Sequence, residues 1–108
     1  MTIQKIILEV HTDAQHIPHT IKWEAPQIME KGDCKSVALA MWDGKEKNTL
    51  RMDIWTKDMT TDEMKNFLLQ SILTFCDTYE RATSDNSLSD KIKTFILQIL
   101  KEQLTIKE

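Results

Sequence analysis

The chain has 108 residues, 41% hydrophobic and 29% charged, with two Gly, two Pro and a formal net charge of −3. That length suits one domain with a real core rather than two. Low Gly and Pro content argues against disorder, and the acidic balance removes the basic surface that nucleic-acid binding requires.

From the start, Ile3 to Thr12 predicts a strand: Ile6, Leu8 and Val10 alternate against Lys5, Glu9 and His11, with Ile7 on the polar side. Asp13 to Pro18 reads as a turn. His19 to Ala25 reads as a second strand carrying Ile21 and Trp23, which completes an N-terminal hairpin. Pro26 to Lys35 is the least regular stretch. Lys31-Gly32-Asp33 is its turn signal, so a loop or short helical turn is expected there.

Ser36 to Trp42 and Asn48 to Thr56 both alternate with a period of two around the polar turn Asp43-Gly44-Lys45-Glu46-Lys47. Setting Asp43 opposite Asn48 puts Val37, Leu39 and Met41 beside Leu50, Met52 and Ile54 on a wholly apolar face. The reverse face then pairs Trp42 with Thr49, Ala40 with Arg51, Ala38 with Asp53 and Ser36 with Trp55. A slip of one residue would turn the apolar set outward, so the register is well specified. Trp42, Arg51, Asp53 and Trp55 form a candidate partner-binding group, because Trp and Arg are over-represented at interface hot spots. The competing reading is a solvated sheet face whose rings are covered by a neighbouring strand or loop.

Thr60 with Glu63 makes a capping box. Met64, Phe67, Leu68, Ser71, Ile72, Phe75 and Tyr79 then mark one face of a helix ending near Thr83, long enough to lie along the sheet. Leu69, Leu73 and Cys76 widen the stripe, which predicts a second element on that flank. Ser84-Asp85-Asn86-Ser87 is a turn. Leu88 to Ile106 predicts a second helix with Leu88, Ile92, Phe95, Ile96, Ile99, Leu100 and Leu104 on one face and Ser87 and Asp90 as its capping pattern. That stripe is strong enough to serve a homodimer as well as an internal core. The expected fold is α+β: a four-stranded antiparallel sheet of two hairpins, with two C-terminal helices packed on one face, as a single domain over residues 1–108.

Chemistry-bearing groupings are weak. His11, His16 and His19 gather near Asp13, but their spacing is not that of a recognised zinc site, and no metal is expected. The carboxylates Asp62, Glu63 and Asp77 read as helix cap and solvated face. No nucleophile stands with a base and an orienting group, and Gly32 and Gly44 do not make a phosphate loop. No catalytic residue and no cofactor is expected. The N-terminus lacks the apolar core of a signal peptide and no run reaches bilayer length. The expected location is therefore cytoplasmic, without membrane insertion, and Cys34 and Cys76, in a loop and on a helix, are expected as free thiols.

The run Asn48-Thr49-Leu50-Arg51-Met52-Asp53-Ile54-Trp55-Thr56-Lys57-Asp58-Met59, then Asp62-Glu63-Met64-Lys65 and Tyr79-Glu80-Arg81-Ala82-Thr83, resembles the gliding-motility GldC family of Bacteroidetes-type bacteria. Trp23-Glu24-Ala25 and Met41-Trp42-Asp43 are similar to its pattern too, so the likeness spans roughly Ile21 to Thr83. The resemblance implies a small cytoplasmic accessory protein whose partners belong to the gliding or secretion machinery, and it transfers no catalytic residue. An alternative from the residues alone is a ligand-binding or enzymatic domain with its pocket between sheet and helices.

Overall fold

The computed structural model describes residues 2–107, with side chains to residue 103. The chain divides into two compact units, Met1–Met59 and Thr60–Glu108.

The first unit is all strand apart from a 3-10 turn at Pro26–Ile28. Strands β1 (Ile7–Thr12), β2 (Pro18–Ala25) and β3 (Glu30–Cys34) form an antiparallel sheet in that order, and β4 (Ser36–Asp43) and β5 (Asn48–Trp55) form a second. The expected single four-stranded sheet is thus corrected to a three-stranded and a two-stranded one. β2 already has a neighbour on each side. Only Lys35 separates β3 from β4, and one residue cannot reverse the chain for antiparallel pairing. The chain bends at Lys35 and β4 opens a new sheet.

The strand β3 replaces the loop expected over Pro26 to Lys35. Its sequence, Glu-Lys-Gly-Asp-Cys, has no apolar alternation; it is held as an edge by pairing to β2, with Gly32 opposite Trp23. The Trp23 indole lies over that glycine: a Cβ on Gly32 would sit 3.1 Å from Trp23 Nε1. What looked like a turn glycine is a slot for an aromatic ring. Cys34 accordingly ends a strand, and both cysteines are free thiols.

The N-terminal hairpin forms as expected, although β1 starts at Ile7 rather than Ile3. Leu8 faces Trp23 and Val10 faces Ile21, while Ile7 pairs with Glu24 on the polar side. Ile21, with 0% exposure, is the centre of this sheet's covered face, flanked by half-buried Leu8, Val10, Trp23 and Cys34. The β4–β5 register agrees with the sequence at every pair, from Asp43↔Asn48 to Ser36↔Trp55. The connecting turn is organised by Asp43, whose Oδ1 accepts the Lys45 and Glu46 amides, and its left-handed residue is Lys47 (φ 56°) rather than Gly44. On the apolar face Val37, Leu39 and Ile54 are half-buried, whereas Met41, Leu50 and Met52 stay about half exposed.

Two backbone bonds pin the sheets at one corner. Thr56 N donates to Lys35 O (2.8 Å) and Lys57 N to Pro18 O (3.1 Å). Thr56 is buried at this joint.

The second unit is a helical hairpin of α1 (Thr61–Thr83) and α2 (Ser87–Lys107). The capping box is complete: Glu63 N donates to Thr60 Oγ1, and Thr60 N to Glu63 Oε1. Ser84 closes α1 in the left-handed region. Leu69 and Cys76, on the widened flank with half-buried Leu73, are the buried residues of α1, and Ile96 and Ser89 are those of α2 among the described residues. The expected main stripe is less covered than its flank: Leu68, Phe75, Leu88 and Phe95 are exposed. Leu104 falls within α2, but its side chain lies outside the described residues. Ser87 is the first residue of α2 rather than its cap; Asp85 Oδ1 accepts its amide instead. Polar bonds lock the hairpin's turn end. Ser89 Oγ donates to Glu80 Oε1, Lys93 Nζ bonds Asp77 and Glu80 (3.3 Å to the latter), and Tyr79 Oη donates to Asp85 (2.8 Å).

Candidate functional site

The β4–β5 ladder fixes the candidate group. Parity puts Arg51, Asp53 and Trp55 on one face of β5, with Ala40, Ala38 and Ser36 opposite them on β4 and Trp42 at the far end opposite Thr49. Arg51 Nη2 meets Asp53 Oδ1 at 2.7 Å, and both side chains are half exposed. Trp42 is 67% and Trp55 56% exposed. More than half of each ring is thus open among the described residues.

The structure joins Arg51 and Asp53 but separates the tryptophans. They stand six rungs apart along the ladder, about 20 Å at the usual rise per residue. Between them runs a floor of Ala38 and Ala40, walled on one side by the Arg51–Asp53 pair. This pair is neutral as a unit and exposed, so it orients two donors and acceptors more than it stabilises the strand.

Beside Trp55 lies a hollow of about 290 Å³ lined by Ile17, Pro18, Asp53, Ile54, Trp55 and Lys57. Ile17, Pro18 and Lys57 are members that sequence reasoning missed. They arrive through the Lys57–Pro18 backbone bond and through Lys57 Nζ, 3.2 Å from Asp13 Oδ2, and no local pattern announces contacts between residues so distant in the chain. Asp13 also accepts the Gln15 and Ile17 amides on Oδ1. These two amides, and then Lys57, hold its carboxyl below the ordinary carboxylate value.

Asp13 is thereby the organiser of the first turn. His11 contacts Glu9 (3.7 Å), His19 Nδ1 contacts Thr20 Oγ1 (2.9 Å), and His16 takes a left-handed backbone. Among the described residues no three His, Cys, Asp or Glu side chains gather as a metal site. A larger, shallow depression of about 420 Å³ lies along the three-stranded sheet between Ile7, Glu9, Lys22, Trp23, Glu24, Lys31, Gly32 and Asp33. Its charged members alternate in sign across the rungs, with Lys22 and Asp33 3.6 Å apart. Burial, the leading cause, pushes the Cys34 thiol above its ordinary value, which leaves it a poor nucleophile near neutrality.

The profile of the gliding motility-associated GldC-like proteins matches residues 18–105. The chain belongs to this family. The match takes in every strand from β2 onward, both Trp42 and Trp55, and most of α2. No curated protein and no solved structure matches the chain. The GldC-like description names an association with gliding motility and no reaction. Among the described residues, no helix is long and apolar enough to cross a membrane.

Proposed function

We propose that this GldC-like protein is a non-catalytic accessory component of the gliding machinery, located in the cytoplasm, that works by protein–protein contact through the Trp42/Arg51/Asp53/Trp55 face of β4–β5. The supporting observation is the exposure of two tryptophans on one regular sheet face, flanking a small-residue floor and an oriented Arg–Asp pair. Large amphipathic rings held by a rigid ladder lose little conformational entropy on binding, which suits them as anchors. Other proteins of the gliding or secretion apparatus are the expected partners.

The test is the double variant Arg51→Ala/Trp55→Ala in a pull-down from a gliding cell. Both side chains are surface groups, so circular dichroism and melting should stay near wild type while partner capture falls by about tenfold or more, the loss typical of removing a hot-spot pair. Global unfolding of the double variant would assign the residues a structural role and sink the proposal. Undiminished capture by a folded variant would sink it equally.

A further inference from the structure

Four strands have an outer edge among the described residues: β1, β3, β4 and β5. An open edge presents a row of unpaired backbone donors and acceptors, and proteins blunt such edges with charges, bulges or brevity. β1 carries Glu9 and His11 and is broken by an irregularity between His11 and Thr12. β3 has five residues, three of them charged. β5 carries Arg51 and Asp53.

β4 has none of these defences. From Ser36 to Trp42 it holds no charge, no Pro and no Gly, and its pairing to β5 is unbroken over eight rungs. A two-stranded sheet of this kind is also marginal by itself. We propose that the open edge of β4 pairs antiparallel with β4 of a second copy of this chain, making a continuous four-stranded sheet in the order β5-β4-β4-β5.

The choice of a second copy rests on self-complementarity. With a two-fold axis at Leu39, that residue faces its own counterpart, and Val37 faces the other copy's Met41 on the apolar side. On the reverse side Ala38 faces Ala40, and Ser36 faces Trp42. Every rung then joins side chains on the same face of the sheet, as an isologous contact requires: large apolar with large apolar on one side, and Ala with Ala on the other, where each Trp42 also lies over the small Ser36 of the other copy. The only charge on the strand, Asp43, falls beyond the paired segment and meets no like charge. Pairing would also join the two Trp/Arg/Asp faces into one surface. The inference goes beyond the proposed docking role and does not depend on it: of the docking group only Trp42 enters the new contact, while Arg51, Asp53 and Trp55 lie outside it on β5.

The test is the mass in solution of the whole chain, by sedimentation equilibrium at micromolar concentration. Wild type should sediment at twice 12.6 kDa. Ala38→Glu/Ala40→Glu sets like charges opposite each other across the axis and should weaken association by about tenfold or more. Ala38→Lys/Ala40→Lys should do the same, and an equimolar mixture of the two variants should dimerise again. A monomeric wild type overturns the proposal, as does a dimer that both variants leave intact. Should either variant fail to fold by circular dichroism, Leu39→Cys decides: mild oxidation should give a disulfide between the two copies at position 39, mapped by mass spectrometry, and several-fold less for Thr49→Cys. Equal crosslinking at both positions overturns it. Dimerisation should persist in Arg51→Ala/Trp55→Ala, so that loss of partner capture and loss of the dimer are read separately.

Discussion

Gly32 carries more information than its neighbours in β3. The Trp23 indole lies against it closely enough that a Cβ would meet Nε1 at 3.1 Å, while the backbone ladder pairs the rest of this polar segment with β2. Its backbone φ is not in the left-handed region, so the requirement for glycine is steric rather than conformational. Gly32→Val should therefore cost about 1–3 kcal/mol, the usual range for overpacking. It should also shift tryptophan emission to longer wavelength as the Trp23 ring is pushed toward water. Chemical denaturation followed by fluorescence checks both; an unchanged midpoint would mean that the indole moves aside freely. The residue scale is also where sequence reading was strongest at the site and weakest beside it. Arg51 and Asp53 could be placed on one face from their spacing alone, because side chains on a strand alternate. Gly32, in a Lys-Gly-Asp string, could not be told from a turn glycine, since its partner lies on another strand.

Among the elements, the helical hairpin has the most clearly readable chemistry. Glu80 sits between the Ser89 hydroxyl and Lys93, with both ionic side chains about three-quarters covered. The Ser89 hydrogen bond first, and Lys93 second, hold the Glu80 carboxyl below its ordinary value of 4.5. Asp77 first, and Glu80 second, raise the Lys93 ammonium above 10.5. The signs follow from linkage. Glu80 contributes its full stabilisation above pH 4.5 and loses it as pH falls through the lowered folded value. Lys93 contributes below pH 10.5 and loses its share as pH rises through the raised one. Glu80→Gln should thus melt below wild type at pH 7, and the gap should close as the pH drops below 4.5. Parallel melting curves of the two proteins from pH 7 to 3, with no convergence, would show that the carboxylate is not the group holding the helices. The spacing of Leu69, Leu73 and Cys76 foretold a second element on this flank. It did not foretell the polar lock, whose members come from both sides of the turn.

At the scale of the whole molecule, strand pairing depends on what lies between the strands as much as on their own patterns. The alternation in β4 and β5, with Asp43 to seed the turn, dictated their register, and a hydrophobic period cannot slip by one without exposing Met52 and Leu39 together. Which strands share a sheet was hidden, because it turns on β3 occupying the open side of β2 and on the single residue between β3 and β4. The hollow at Trp55 was hidden for a related reason: its walls meet only where the chain after β5 bonds back to Pro18. This arrangement has a consequence for backbone protection. β2 is paired on both sides, so its amides, Ile21 among them, should exchange most slowly within the strand unit. β4 is paired on one side within a single chain, so every second amide along Ser36–Asp43 should exchange rapidly in dilute protein. If β4 pairs across a two-fold axis, these outward amides should become protected as concentration rises, while those of the charged edges β3 and β5 do not change. Hydrogen exchange read residue by residue at two concentrations measures this. Protection of β4 that is already complete at the lower concentration and in the monomeric Ala38→Glu/Ala40→Glu variant would mean that the edge is satisfied within one chain.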